Sequence, residues 1–149
     1  MNTANKVILL VEDNPDDVFL ALRALRKNNI DNQVVVARDG VEALEYLLGQ
    51  EPPNGHHQDI PAITLLDLKM PRLNGLEVLK RIRADQRVKL MPVIILSASC
   101  EDSDVESSYT FGCNAYIRKP IDFDRFCEAI KQIAVFWLGL NEPPLPLKK

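Results

Sequence analysis

The chain has 149 residues, with 18 Lys and Arg against 21 Asp and Glu and a net charge of −3. That length fits one domain with a full hydrophobic core and leaves no room beside it for a second of useful size. The acidic balance and the lack of a basic stripe argue against general affinity for nucleic acid or anionic membrane; no apolar run is long enough to span a bilayer, and the opening Met-Asn-Thr-Ala-Asn-Lys lacks a signal-peptide core, so a cytoplasmic protein is expected.

In chain order, Lys6 to Val11 is a continuous apolar run without alternation, as expected of a strand (β1) covered on both faces by helices. It stops at Glu12-Asp13. Asn14-Pro15 then reads as an N-cap with a first-turn proline, and Asp16 and Asp17 suit the positive end of helix α1, which should run to about Asn28 with Val18, Leu22 and Leu25 facing the sheet. Gln33 to Ala37 is a β-branched strand, β2. Asp39-Gly40 opens α2, whose apolar face would be Val41, Leu44, Leu47 and Leu48, with Gly49 closing it. The stretch from Gln50 to Asp59 is rich in turn formers and reads as a long loop. Its His56-His57 pair is not a convincing metal site, because adjacent side chains seldom converge on one ion and no third ligand is near.

Ala62 to Leu66 should form a third buried strand, β3, which delivers Asp67 to its C-terminal edge before the chain turns through Pro71 and Asn74-Gly75. Helix α3 starts at Asn74-Gly-Leu-Glu77, with Leu76, Leu79 and Ile82 inward and a Glu77 to Arg81 ion pair outward. Pro92 to Ser97 is strand β4, ending at a hydroxyl. Ser103-Asp-Val-Glu106 matches a capping box for α4, which should last to about Phe111; Ala115 to Arg118 is a short β5; Lys119-Pro120 leads to Asp122, expected to cap α5. Cys100, Cys113 and Cys127 are odd in number and lack Cys-x-x-Cys spacing, so neither a disulfide framework nor a zinc site is indicated.

Five successive strand-then-helix units imply a three-layer α/β/α domain on a parallel sheet, with the flavodoxin-like order 2-1-3-4-5. All strand C-termini then share one rim, so Glu12-Asp13, Asp67, Ser97 and Lys119 become neighbours. Taken alone, Asp67 can be a nucleophile, a metal ligand or merely the cap of a loop, and the others have ordinary structural readings: Glu12-Asp13 as caps, Ser97 as a turn hydroxyl, Lys119 as an exposed cation. Together they make a phosphoryl site. Crowded carboxylates need a cation, and all-oxygen ligands suit Mg²⁺; a hydroxyl and an ammonium can hold the oxygens of an anionic group on Asp67.

With these residues in view the chain closely resembles the receiver domain of bacterial two-component response regulators, from Lys6 to about Leu138. The family pattern is an acidic pair after the first strand, a phosphorylated aspartate after the third, Ser or Thr after the fourth and Lys-Pro after the fifth; here these are Glu12-Asp13, Asp67 in Leu-Asp67-Leu-Lys-Met-Pro, Ser97 and Lys119-Pro120. The resemblance implies a phosphoacceptor signalling protein rather than a turnover enzyme, with Asp67 accepting a phosphoryl group from a sensor histidine kinase. It also implies Mg²⁺ held by Asp13, Asp67 and the backbone carbonyl of Lys69, with Glu12 acting through water, and a cis bond at Lys119-Pro120. Tyr116 stands at the aromatic switch position of the family, so phosphorylation should draw in Ser97 and Tyr116 and reshape the α4-β5-α5 face.

Only a short proline-rich tail follows Trp137, which reads as a stand-alone receiver with a core of about 6–138 and a tail of 139–149. The ending Phe136-Trp137-Leu138, followed by Asn-Glu-Pro-Pro, is similar to that of single-domain regulators serving phytochrome-type kinases. A haloacid-dehalogenase-like phosphatase would need a second Asp two residues after Asp67, where Lys69 stands. A flavodoxin-type cofactor module would need a phosphate loop after β1, where Glu-Asp-Asn-Pro-Asp-Asp would repel phosphate. Helix α5 carries one apolar set of Phe123, Phe126, Ile130, Ile133 and Trp137 and another of Cys127, Ala134 and Leu138 with Phe136 beside it. One can cover the sheet; the other, with the Leu140 to Leu147 tail, either lies back over its own domain or, as expected here, joins the α4-β5-α5 face in a homodimer contact, with an unknown downstream protein as a further partner.

Overall fold

The computed structural model describes residues 6–49, 60–120 and 122–144; the His56-His57 loop and the end of the tail lie outside them. The element order is β1 (Ile8–Val11), α1 (Pro15–Lys27), β2 (Val34–Ala37), α2 (Gly40–Leu48), β3 (Ile63–Leu66), α3 (Gly75–Ala84), β4 (Val93–Ser97), α4 (Asp102–Thr110), β5 (Ala115–Arg118) and α5 (Phe123–Ala134). Five strands form one parallel sheet in the order β2-β1-β3-β4-β5. The three central strands are buried along their whole length, which is why their sequences run apolar without alternation.

Each sheet face carries its own core. On one, Leu9, Val11, Leu66 and Ile95 meet Ala43, Leu44, Val78, Leu79 and Ile82 of α2 and α3; on the other, Ile8, Leu10, Leu65 and Ile94 meet Val18, Ala21, Leu25, Phe126, Ile130 and Ile133 of α1 and α5. Each fully buried Leu or Ile contributes about 1.5–3 kcal/mol, so the two cores hold the rim of the sheet in place. Ala21, Ala24, Ala43 and Val78 are buried beside the longer Leu79, Ile82 and Ile130, while Leu22, Leu47, Leu48 and Leu76 are only partly buried at the edges of the two cores.

Asn14, Asp39, Asn74 and Asp122 cap their helices through side-chain oxygens, as their sequence positions imply. Helix α4 departs from expectation. It begins at Asp102 with Glu101 at the cap position and no side-chain cap bond, so Ser103 and Glu106 form no capping box. Asp104, in the first turn of the helix, instead turns its side chain back to the preceding loop and accepts a bond from Ser99 Oγ (2.5 Å). At the end of α5 the helix widens into a π turn, Val135–Leu140, closed by Asn141 N–H donating to the Phe136 carbonyl (2.6 Å). The two apolar sets of α5 are not separate faces: Phe126, Cys127, Ile130, Ile133 and Leu138 are all buried in one cluster, since α5 packs against the sheet and α1 together. Lys119-Pro120 is trans, as no cis peptide bond occurs among the described residues. The sequence expectation of a cis bond is thus corrected, in line with the intrinsic trans preference that even proline retains.

Candidate functional site

The rim follows from the strand register. Val11 pairs with Leu66, so the next residues, Glu12 and Asp67, stand level at the ends of adjacent strands. Leu66 pairs with Ile95, and Ser97 with Arg118, which brings Ser97 and then Lys119 to the same edge. The chain beyond Asp67 is drawn tight: Leu68 N–H donates to Asp67 Oδ1 (2.9 Å) and Gly75 N–H to the Leu68 carbonyl (2.9 Å). A Cβ on Gly75 would lie 2.2 Å from the Asp67 carbonyl oxygen, so only glycine lets the start of α3 come this close. The left-handed residue of the turn is Arg72 (φ 63°) rather than the Asn-Gly pair, and its guanidinium grips Asp39, the cap of α2.

One oxygen each from Glu12, Asp13 and Asp67 falls within 4.8 Å of the others. Glu12 and Asp67 are buried, and Asp13 is half-buried. Burial pushes Glu12 up from the ordinary 4.5 to about 7 against the pull of the Lys119 hydrogen bond, and the neighbouring Asp67 charge adds to the rise. Asp67 is also raised, first by burial, with Asp13 adding repulsion and Lys119 opposing. Burial works against the Lys119 ammonium too, yet the Glu12 bond and the Asp67 and Asp17 charges hold its pKa above the usual lysine value. More negative charge is therefore gathered at the rim than one lysine neutralises. A hard divalent cation with oxygen ligands fits that donor set, and a thiophilic metal does not.

Lys119 Nζ reaches Glu12 Oε1 at 2.5 Å and Asp17 Oδ2 at 3.3 Å; Asp67 acts on it through space. Asp17 was not identified from sequence, where it read with Asp16 as helix-dipole chemistry. The overlooked signal is rotation: Asp16 faces water, whereas Asp17, one position on, swings back over the rim. Ser97 is fully buried, and its Oγ accepts from Ser99 N–H (3.1 Å). The Tyr116 hydroxyl donates to the Ser99 carbonyl (3.1 Å), while its ring lies half-buried against the core. Asp104 ties Ser99 Oγ to Lys69 Nζ (3.3 Å). The loop after β4 is thus joined both to Tyr116 and to the chain just past Asp67, a link that sequence spacing does not reveal. Among the expected surface residues, Phe136 is exposed and meets Trp137 edge to face (5.0 Å, 83°), but Leu138 is 4% exposed and lies in the core. The π turn is the reason, because its wider winding carries Leu138 inward and leaves Val135, Phe136 and Leu140 outside.

Comparison with known proteins agrees with this geometry. The family model described as response regulator receiver domain matches residues 8–131. A probable methanogenesis regulatory protein, FilR2 of Methanothrix harundinacea, is 36% identical over 140 residues, covering 94% of this chain and 88% of its own. The solved structure of the phosphorylated cyanobacterial phytochrome response regulator RcpA superposes with a TM-score of 0.85 at 37% identity, over 95% of this chain and 100% of that one. The Mn²⁺-bound form of response regulator Rcp1 superposes with a TM-score of 0.82 at 34% identity, over 94% and 99% of the two chains. With its parallel five-stranded sheet, its acidic cluster at the strand ends and these relatives, the chain belongs to the response regulator receiver domain family of two-component signalling.

Proposed function

We propose that this receiver takes a phosphoryl group onto Asp67 from a sensor histidine kinase and passes the signal on through its α4-β5-α5 face. The observation that carries the reading is the convergence of Glu12, Asp13 and Asp67 within 4.8 Å beside the Lys119 ammonium. An Asp67 carboxylate oxygen attacks the phosphorus of a phosphohistidine; the O–P bond forms, the P–N bond breaks, and the imidazole leaves with the bonding pair and takes up a proton. The product is an acyl phosphate. Asp13, Asp67 and the Lys69 carbonyl would hold Mg²⁺, with Glu12 acting through water. A cation there supplies the charge that neutralises the phosphoryl oxygens.

Lys119 supplies the protein's own positive charge to those oxygens, and Ser97 supplies a hydroxyl that can donate to them. The Ser97 movement has a route outward, since Ser99 bonds both Ser97 Oγ and the Tyr116 hydroxyl. A phosphoryl group on Asp67 biases this pair of positions only through contacts that differ between the states. By this reading the protein is a phosphoacceptor with slow self-hydrolysis, a single receiver domain of the cytoplasm. The likeness to RcpA supports a phytochrome-type kinase as donor. Exposed Val135, Phe136 and Leu140, with Trp137 beside them, support a two-fold homodimer contact at the end of α5.

The test is incubation with acetyl phosphate and Mg²⁺, followed by intact-mass measurement. One phosphoryl group is expected on the wild type and none on Asp67→Asn. Equal labelling of the variant would overturn the assignment.

A further inference from the structure

Lys119 is the one cation ion-paired with the acidic cluster among the described residues, and its ammonium bonds Glu12 at 2.5 Å and Asp17 of α1 at 3.3 Å, while Asp67 acts on it only through its charge. Asp17 is held in that position by the fold. Asn14 caps α1 by accepting from both the Asp16 and Asp17 N–H groups (2.8 and 3.3 Å), which fixes the first turn over the strand ends. Asp17, Glu12 and Lys119 also line one cavity of about 80 Å³ between α1 and α5, walled by Leu10, Leu96 and Phe126. The Lys119 side chain is 16% exposed and that of Asp17 40%, so the pair is only partly screened by solvent.

We propose that Asp17 is a positioning residue that holds the Lys119 ammonium on the α1 side of the rim, in competition with a phosphoryl group on Asp67. The proposal rests on the assignment of Asp67 as phosphoacceptor. In the resting protein Lys119 is shared between Glu12 and Asp17; an anionic group on Asp67 gains the ammonium only by releasing it from Asp17. The acidic residue in the first turn of α1 therefore sets how far the resting state is favoured, although it touches neither the metal donor set nor Asp67. Its neighbour Asp16 carries the same charge one residue away, is exposed, and makes no contact with Lys119, so it serves as an internal control for net charge.

Beryllofluoride with Mg²⁺, a non-covalent mimic of the phosphoryl group, gives an equilibrium readout on the intact chain. Asp17→Asn should bind it about fivefold more tightly than wild type, which corresponds to about 1 kcal/mol and lies in the range for a partly exposed ion pair. Asp16→Asn should bind as wild type does, and Asp17→Glu should restore the wild-type affinity. In protein free of metal and beryllofluoride, the ¹⁵N resonance of Lys119 Nζ should shift in Asp17→Asn and stay put in Asp16→Asn. Equal beryllofluoride affinity of wild type and Asp17→Asn, or an equal gain in Asp16→Asn, would overturn the proposal while leaving Asp67 as acceptor. Failure of all four proteins to bind, together with acetyl phosphate labelling of Asp67→Asn, would overturn the acceptor assignment and this proposal with it.

Discussion

In metal-free buffer the protein is expected to lose stability as pH rises from about 4.5 to about 7, the reverse of what a carboxylate with a lowered pKa produces. Glu12 is the cause. Its folded pKa, about 7, lies above the ordinary 4.5, so between those values the folded state holds a proton that the unfolded state has released. The contribution is fully present below 4.5 and is lost as pH climbs through 7. At about 1.4 kcal/mol per tenfold, the gap converts to roughly 3 kcal/mol. Solvent screening takes little from that figure, because the Glu12 side chain is 5% exposed. The acids whose pKa is lowered act in a different window: Asp39, through its backbone bond from Glu42 and its pairing with Arg72, and Asp104, through its Ser99 bond, lose their contribution only as pH falls through values below 3.8. Urea melts of wild type and Glu12→Gln in EDTA from pH 4.5 to 8 isolate the effect, since glutamine cannot ionise. The stability difference should change by about 3 kcal/mol across the window, equivalent to roughly 6–12 °C in melting temperature for a chain of this length. Added Mg²⁺ should stabilise wild type more at pH 8 than at pH 5, because the cation requires ionised ligands. Parallel curves for the two proteins between pH 4.5 and 7 would refute the argument that burial dominates the charge state of this rim.

Gly75→Ala should destabilise the protein by about 1–3 kcal/mol, as its Cβ would sit 2.2 Å from the Asp67 carbonyl and force the acceptor loop outward; thermal melts that match wild type would refute this. The proposed homodimer predicts that wild type sediments as a dimer at micromolar concentration and Phe136→Ala shifts toward monomer with Asp67 labelling unchanged, since Phe136 is 46% exposed and far along the chain from the rim; a monomeric wild type would refute the dimer, and an unaltered profile of the variant would refute this contact.

Much of the architecture was legible because the central strands are buried on both faces and so lose the alternation that would otherwise blur strand with helix. The helix starts were equally plain, since Asn14, Asp39, Asn74 and Asp122 each satisfy backbone donors by a local bond that needs no tertiary context. Ser103 failed for the complementary reason. The capping-box pattern is local, but Asp104 is claimed by Ser99 and Lys69, groups that only the tertiary fold brings near. At the rim the residue types followed from strand ends, whereas the choice of Glu12 and Asp17 as partners of Lys119 depends on helix rotation and could not be read from spacing. The fate of Leu138 depended on one extra residue in the winding after Ala134, which no periodic pattern announces.

The two sides of the rim are held by different kinds of bond, and this makes the molecule mechanically lopsided. Past Asp67 the chain is jammed backbone against backbone at Gly75 and fastened to α2 through Arg72 and Asp39, a stiff jaw. Past Ser97 it is held by a hydroxyl, a carboxylate and an ammonium passing from Ser99 to Asp104 to Lys69, contacts that can be exchanged one at a time. Under the proposed phosphorylation of Asp67, the strain of the added group would pass into the loose jaw and leave the β2-α2 flank in place. A protein that must recognise this one in every state is best served by the still flank. One that must tell the states apart has to grip the side that yields.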